Sequence, residues 1–272
     1  MKCPQCDSQK FRKLKGLTAL GYHRFQCKDC RSRFNERSGS LFNFLEYPTD
    51  LVLLIVRWRI RYKLSLRDLS EMMLDRGLEL THESVRNWET RFAPLIRDFL
   101  RLRRRRKGGQ SWYVDETYIK VKGNWCDLYR AIDRDGALID CRLSETRDMD
   151  AARSFFREAL ERIGEAPDRV TTDKESSYPR AIVEELGPKV THRTNRYLNN
   201  LIEQDHRGIK QRYGPMKGFF SFASAKRFCE TFDELRNFYK AKKRGESVSL
   251  KTLREDYVVK TEMLTRAIIQ AV

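Results

Sequence analysis

The sequence lacks any long hydrophobic run, and this argues against a membrane protein. Its longest uninterrupted apolar stretch, LVLLIV from Leu51, ends at Arg57, far short of the roughly 20 residues that a helix needs to cross a bilayer. The first ten residues, MKCPQCDSQK, also lack the apolar stretch of a secretory signal. We therefore expect no membrane partner and a cytoplasmic protein. Thiols stay reduced in that compartment, so the cysteines need an explanation other than disulfides.

Acidic residues are also in short supply, with 38 Asp and Glu against 55 Lys and Arg and a net charge of +17. The imbalance is confined to the flanks. Residues 111–214 carry 18 basic and 19 acidic groups, whereas residues 1–50, 51–110 and 215–272 have net charges of +5, +8 and +5. Basic segments around a near-neutral centre favour a protein that holds a polyanion such as nucleic acid. A generally basic soluble protein is the alternative.

Four cysteines near the start have the spacing of metal ligands. CPQC (Cys3, Cys6) and CKDC (Cys27, Cys30) are two CxxC pairs separated by 20 residues, a spacing that lets two knuckles close a tetrahedral thiolate site for Zn²⁺. So short a segment has almost no apolar core, so the metal would supply most of its folding free energy. The alternative, a pair of redox CxxC motifs, lacks the βαβ pattern of a thioredoxin-like fold. We predict a structural zinc ribbon over residues 1–40.

Residues 47–100 have the pattern of an all-α helix-turn-helix domain. In LSLRDLSEMMLDRGLELTHESVRNWETRF, apolar residues at helical spacing form a first helix, Gly77 ends it, and Thr81 is placed to cap the next helix. A recognition helix presents its outward side chains to a major groove. A helical hairpin without DNA-binding function would have the same pattern. The outward side chains that we expect to contact DNA are His82, Arg86 and Asn87.

The segment RLRRRRKGGQ, residues 101–110, is a run of arginine followed by two glycines. We predict a basic linker between two domains, because such a composition favours solvated chain. Contact with phosphates needs only charge and reach, and a linker that makes no DNA contact is the alternative. The candidate phosphate contacts are Arg103, Arg104, Arg105 and Arg106.

Residues 111–214 have the order of elements expected of a mixed α/β sheet. SWYVDETYIKV, WCDLYRAID and ALIDCRLS are rich in aromatic and β-branched residues and predict three strands, the last two joined by the turn RDG. DMDAARSFFREALERIG predicts an amphipathic helix. DRVTTD and VTH predict two more strands, and YPRAIVEEL and NNLIEQDHRGIKQRY two more helices. Residues 215–272 form a helical region that could pack on the core or join subunits.

Three carboxylates of this segment could act together. Asp115 lies in the first strand, Asp173 at the end of the fourth, and Glu203 on the last helix. If the two strands are neighbours, the aspartates lie side by side, and a helix across the sheet delivers the glutamate together with Lys210. Oxygen ligands of this kind suit Mg²⁺ or Mn²⁺, which support phosphoryl displacement. Each carboxylate also has a plain alternative: a helix cap, an ion pair or a capping box.

Several motifs together resemble the DDE transposases of prokaryotic insertion sequence family six. These are WYVDETYIKVKGNWCDLYRAID, TTDK and YLNNLIEQDHRGIKQR, followed by MKGFFSFASA. The resemblance covers roughly residues 47–243, and the cysteine-rich start extends beyond the shared pattern. It implies an RNase H-like catalytic domain at 111–214, with the triad Asp115, Asp173 and Glu203 and with Lys210 as the basic residue that follows.

The resemblance also implies partners and an activity. It implies binding to the terminal inverted repeats of an insertion sequence and to target DNA, metal-dependent strand cleavage, and strand transfer by a 3′-OH, often through a cointegrate. We expect a homodimer or higher oligomer, associated with the nucleoid when DNA is bound. Two alternatives stay open at this point. One is a catalytically inactive DNA-binding regulator, and the other is an RNase H-like nuclease that cuts without joining.

Overall fold

The structure is a computed structural model that describes residues 1–104, 109–173, 175–194, 199–216, 218–240 and 249–271. Two units are distinguished, one of residues 1–55 with 262–272 and one of residues 56–261. Within the described ranges, no helix combines the length and the apolar composition needed for a transmembrane segment. The strands are β1 (Phe11–Leu17), β2 (His23–Cys27), β3 (Arg33–Asn35), β4 (Ser111–Val121), β5 (Asn124–Asp133), β6 (Leu138–Ser144), β7 (Arg169–Thr172) and β8 (Thr191–Thr194). The helices are α1 (Thr49–Arg61), α2 (Leu66–Leu74), α3 (His82–Arg104), α4 (Met149–Ile163), α5 (Tyr178–Leu186), α6 (Asn200–Tyr213), α7 (Phe222–Tyr239) and α8 (Leu250–Gln270).

The N-terminal segment forms a small antiparallel sheet in the order β1-β2-β3. Its apolar core is three aromatic rings, with Phe11 in edge-to-face contact with Phe25 at 5.4 Å and with Phe34 at 5.7 Å between ring centroids. Two cysteines, Cys3 and Cys27, are buried beside them. A core this small supplies little hydrophobic stabilisation, so the fold of this segment depends on whatever joins its cysteines.

Helices α2 and α3 have the boundaries that side-chain capping dictates. Ser65 and Asp68 form a reciprocal capping box at the start of α2. Gly77 adopts a φ of +71° in the turn that follows, a left-handed conformation that glycine tolerates at little cost. The hydroxyl of Thr81 then accepts the backbone N–H of Ser84 at 3.1 Å, as the sequence predicts for the cap of the second helix.

The second helix is longer than the sequence predicts. α3 continues as one helix to Arg104 and packs along α7, so the first four residues of the predicted linker at 101–110 are helical. The cause is a set of ion pairs between the two helices. Arg101 lies 3.4 Å from Glu230, and Arg104 donates two hydrogen bonds to Glu234 at 2.7 and 2.8 Å. These arginines resemble a solvated linker in the sequence, but in the structure they form ion pairs between α3 and α7.

Glu234→Gln is expected to lower the free energy of unfolding by about 3 kcal/mol. The Glu234 side chain is 1% exposed, and loss of its charge leaves the buried Arg104 guanidinium with Asp140, at 3.8 Å, as its remaining acidic partner. Denaturant unfolding measures the change. The matched control is Glu262→Gln, whose partner Arg266 is 76% exposed and which should change stability by less than about 0.5 kcal/mol. Equal losses in the two variants would show that burial of the pair does not matter.

The central sheet has the strand order β6-β5-β4-β7-β8. β4, β5 and β6 form an antiparallel meander, while β7 pairs parallel to β4 and β8 parallel to β7. This confirms the predicted mixed sheet in its RNase H-like arrangement, with the first strand at the centre. β4 and β5 are joined by the two-residue turn Lys122–Gly123, with φ values of +50° and +86°, as two-residue hairpins prefer.

Helices α4 and α5 cover one face of this sheet and form the main hydrophobic core with it. The α4 side chains predicted to point inward are buried or half-buried against Trp112, Val114, Tyr129 and Val170 of the sheet. Asp148 caps the start of α4 by accepting the N–H of Ala151 at 2.8 Å. This core holds the part of β4 and of β7 that directly precedes Asp115 and Asp173. The inward α4 positions are Ala152, Phe155, Phe156, Ala159, Leu160 and Ile163.

Candidate active site

Strand pairing brings Asp115 and Asp173 to neighbouring places on the sheet. β4 and β7 run parallel with Tyr113 opposite Thr171, and each aspartate lies two residues further along its strand direction. Asp173 directly follows β7 and accepts the N–H of Glu175 at 3.0 Å with one carboxylate oxygen. The two carboxyl groups interact electrostatically, since Asp173 contributes to the pKa of Asp115.

Helix α6 brings Glu203 to the same place. Its apolar side, with Ile202 and Ile209 fully buried, packs toward the sheet, while Glu203 and Lys210 are exposed. Both side chains line a cavity of about 570 Å³ together with Asp115. The helical periodicity predicts this division into a packed and a free side. The cavity therefore combines the carboxylates of Asp115, Glu116 and Glu203 with the cationic groups of Arg207 and Lys210. Asp173 is close enough to act on Asp115.

The site concentrates negative charge. The pKa of Asp115 is raised to about 7, first by burial of the carboxyl group and then by the negative charges of Glu116, Asp173 and Glu203. Repulsion of this kind is relieved when a cation lies between the carboxylates. The ligand chemistry, carboxylate oxygens only, is that of Mg²⁺ and Mn²⁺ sites. The residues present therefore fit a divalent metal.

The acidic group is open rather than closed. Among the described residues, only the four N-terminal cysteines form a group of three or more ligand-type side chains whose ligand atoms all lie within 4.8 Å of one another. Asp115, Asp173 and Glu203 are more widely spaced than that.

His206 lies behind Asp115 and is buried, with 3% of its surface exposed. The sequence favours a surface or hydrogen-bonding role for it; in the structure its Nδ1 lies 3.6 Å from Asp115 Oδ2. Burial lowers its pKa to about 3, helped by the positive charges of Arg130 and Lys210. The imidazole is therefore neutral at neutral pH and forms an uncharged wall to the site.

Glu116 is a fourth carboxylate that sequence reasoning missed. It accepts a hydrogen bond from the hydroxyl of Tyr178 and forms an ion pair with Arg147, and burial raises its pKa. Arg147 also lies 2.8 Å from Glu175, in the loop after Asp173. In the sequence, only its position next to Asp115 could have indicated Glu116. Strand alternation places the two side chains on opposite faces of β4.

Arg130 connects the sheet to both helices on the side of the site. It is the cross-strand partner of Asp115 and is 1% exposed. Its guanidinium donates to Asp205 of α6 at 2.7 Å and to Asp233 of α7 at 2.8 and 2.9 Å. Asp205 is the one acidic residue on the apolar side of α6, and this pair explains why it is tolerated there. The network fixes α6, and with it Glu203, to β5.

The predicted DNA-contacting side chains lie in different environments. His82, Arg86 and Asn87 lie in the first turns of α3, with Arg86 and Asn87 exposed. Glu83 lies between the first two, 3.3 Å from His82 and 3.1 Å from Arg86, so the charge of this face is partly neutralised.

Arg103 and Arg104 differ although they are adjacent in the chain. Arg103 is exposed, whereas Arg104 is 8% exposed and engaged by Glu234. The prediction that Arg104 contacts DNA is wrong, because its guanidinium forms a buried ion pair. Arg105 and Arg106 lie outside the described residues.

The four N-terminal cysteines converge. Cys3 Sγ lies 3.5 Å from Cys30 Sγ, and Cys6 Sγ lies 3.6 Å from Cys27 Sγ. A tetrahedral site with Zn–S bonds of about 2.3 Å has sulfur–sulfur distances of about 3.8 Å. The arrangement thus fits one zinc ion with little adjustment.

Comparisons with known proteins show what the central part of the chain is similar to. Residues 109–242 match a family model described as a DDE domain. The transposase for insertion sequence-like element IS431mec of Staphylococcus aureus strain Mu50 is 38% identical over 176 residues, 63% of this chain and 77% of that protein. The transposase for insertion sequence element IS257 in transposon Tn4003 of Staphylococcus aureus has the same identity and coverage. Among solved structures, the HTLV-2 integrase catalytic core domain in complex with magnesium is 16% identical, covering 52% of this chain and 91% of that one, with a TM-score of 0.38.

Proposed function

We propose how this chain, which belongs to the DDE transposases of prokaryotic insertion sequence family six, cuts and joins DNA. The protein is a metal-dependent DNA transposase of the DDE type. In our assignment Asp115, Asp173 and Glu203 are the triad that holds two Mg²⁺ or Mn²⁺ ions, and Lys210 contacts a phosphate of the DNA.

One observation carries this assignment. The parallel pairing of β4 and β7 sets Asp115 beside Asp173, and Glu203 and Lys210 line the same cavity as Asp115. A structural role can explain a single carboxylate. It does not explain why three carboxylates lie close enough together to raise the pKa of Asp115. Their shared affinity for a cation does explain it.

The reaction is in-line displacement at phosphorus. Divalent ions held by Asp115, Asp173 and Glu203 would supply activation of the attacking oxygen and stabilisation of the leaving oxygen. The protein's own groups set the geometry. The three carboxylates determine where the metal ions bind, and Lys210, two helical turns after Glu203, is directed at the phosphate. Neutral His206 excludes water behind Asp115 without adding charge.

The flanking parts hold the DNA. We propose that α2 and α3 and the zinc ribbon bind the terminal inverted repeats, and that the same protein captures target DNA. The exposed Arg86, Asn87 and Arg103 are the described candidates for contact. Two element ends must be held together for joint transfer, so we propose a homodimer or higher oligomer as the active form.

The test is an assay that separates cutting from joining. Linear DNA carrying the sequences that flank the coding region is incubated with the protein, a supercoiled plasmid and Mg²⁺. We expect strand cleavage at the element ends and joined products in the plasmid, both lost in EDTA. Cleavage without joining would favour an RNase H-like nuclease, and binding without either would favour a regulator.

Replacing Cys3 and Cys6 by Ser is expected to unfold β1–β3 while leaving residues 56–261 folded. The metal supplies most of the stability of a segment whose core is three aromatic rings. Zinc content measured by atomic absorption should fall from one ion per chain to none, and amide exchange should become fast only in the first 40 or so residues. The matched control is Cys229→Ser, in a buried cysteine of α7 outside the cluster. An unchanged zinc content in the double variant would refute the ribbon.

A further inference from the structure

The β4–β5 hairpin exposes two large aromatic side chains. Trp125 is 61% exposed and Tyr118 is 50% exposed, and their ring centroids lie 6.4 Å apart at an interplanar angle of 71°. Lys120, the cross-strand partner of Trp125, places its ammonium group 5.8 Å from the indole centroid. We call Tyr118, Lys120 and Trp125 the aromatic platform. Trp88 and Trp112, by contrast, are 6% and 1% exposed.

The backbone beneath the platform is held by hydrogen bonds from neighbouring segments. The N–H of Lys122 and the carbonyl of Lys120 both bond to the backbone of Phe219, at 2.8 and 2.9 Å. The N–H of Lys120 also donates to the hydroxyl of Tyr213 at 2.6 Å. A pre-ordered aromatic surface loses little conformational entropy when a ligand binds to it. Exposure of the rings is therefore not a consequence of a loose hairpin.

Contacts connect the platform to the acidic site. Arg147 donates to the hydroxyl of Tyr118 at 3.0 Å and forms ion pairs with Glu116 and Glu175. The N–H of Glu175 in turn donates to Asp173. Along β4, Glu116, Tyr118 and Lys120 follow one another on a single face. The platform lies on the face of β4 opposite Asp115, and Arg147 and Glu175 link it to Asp173.

Charge indicates the ligand. Lys120 and Lys122 border the exposed rings, and both are exposed, so this surface favours an anionic ligand. A DNA strand offers phosphates for the ammonium groups and a flat base for the rings. Bases inside a duplex have both faces covered by neighbours, whereas an unpaired base has its faces free to stack on aromatic side chains.

We infer that the aromatic platform stacks on an unpaired nucleobase of the DNA strand, on the face of the sheet opposite Asp115. This inference rests on the proposed function, and it adds a recognition element for strand opening at the element end. Trp125 makes the principal stacking contact, Tyr118 supports it edge-on, and Lys120 meets the adjoining phosphate.

The test uses the fluorescence of Trp125 in the Asp115→Asn background, in which DNA stays intact. Binding of a short oligothymidylate should quench the intrinsic fluorescence of this variant. Adding Trp125→Phe should remove the quenching, whereas the matched control Trp58→Phe, in a less exposed tryptophan, should leave it unchanged. Trp125→Ala should weaken oligothymidylate binding about tenfold, which is about 1.4 kcal/mol, and change duplex binding by less than about twofold.

Two results would overturn the inference. One is quenching that persists in Trp125→Phe, and the other is an oligothymidylate affinity unchanged by Trp125→Ala. If Trp125→Ala misfolds, the fluorescence of Trp125→Phe still decides. Failure of the proposed function is separate, because it shows as cleavage that survives Asp115→Asn, whatever the quenching does.

Discussion

Asp115→Asn is expected to reduce both cleavage and joining of element-end DNA by at least about a thousandfold. The amide keeps the shape of the side chain but removes the negative charge that holds a metal ion, and loss of a charge-stabilising group at a reacting centre costs 10²-fold or more. Asp173→Asn and Glu203→Gln should have effects of the same order. Single-turnover assays on labelled DNA measure both steps.

Binding and folding provide the controls for these variants. Affinity for element-end duplex, measured by anisotropy, should change by less than about threefold, since the carboxylates do not attract DNA. Asp150→Asn, in an exposed aspartate of α4, is the matched variant and should retain activity. Cleavage preserved in any one of the three variants would remove that residue from the site.

Arg130→Met is expected to lower the free energy of unfolding by about 3–5 kcal/mol and to abolish strand transfer. The substitution leaves Asp233 buried without its partner, while Asp205 keeps Arg236 at 2.6 Å. Loss of one partner of a buried pair is more costly than the pair is worth. Activity falls with stability because α6, which carries Glu203, loses its tie to β5. Urea unfolding and the joining assay measure the two effects.

A compensated variant separates charge from packing. Arg130→Met combined with Asp233→Asn should recover at least half of the lost stability, because Asp205 keeps Arg236 and no unpaired charge remains buried. A single Arg130→Met variant within about 1 kcal/mol of the parent protein would contradict the role of the network.

Local patterns predict much of the fold. The spacing of Phe155, Phe156 and Ile163 predicts α4 and its buried face, and alternation in SWYVDETYIKV predicts β4. The two CxxC pairs indicate the ribbon because metal-ligand spacing is itself local. The neighbourhood of Asp115 and Asp173 follows once β4 and β7 are taken as adjacent, and their catalytic role stays a prediction.

Long-range ion pairs account for what the sequence does not predict. Arg104 belongs to a run that looks solvated, yet its partner Glu234 lies 130 positions further along the chain. Arg130 likewise depends on Asp205 and Asp233, on two different helices. The hydrophobic periodicity of one segment does not indicate which residue of another segment will be its ion-pair partner. The end of α3, the burial of His206 and the anchoring of α6 therefore become visible only in the structure.

Anomalous diffraction at the manganese edge, from crystals of the protein with element-end DNA and Mn²⁺, tests the metal site most directly. The account predicts manganese bonded to carboxylate oxygens of Asp115, Asp173 and Glu203, with a DNA phosphate oxygen completing the coordination. Manganese bound elsewhere, or bound without any one of these three side chains, would contradict it.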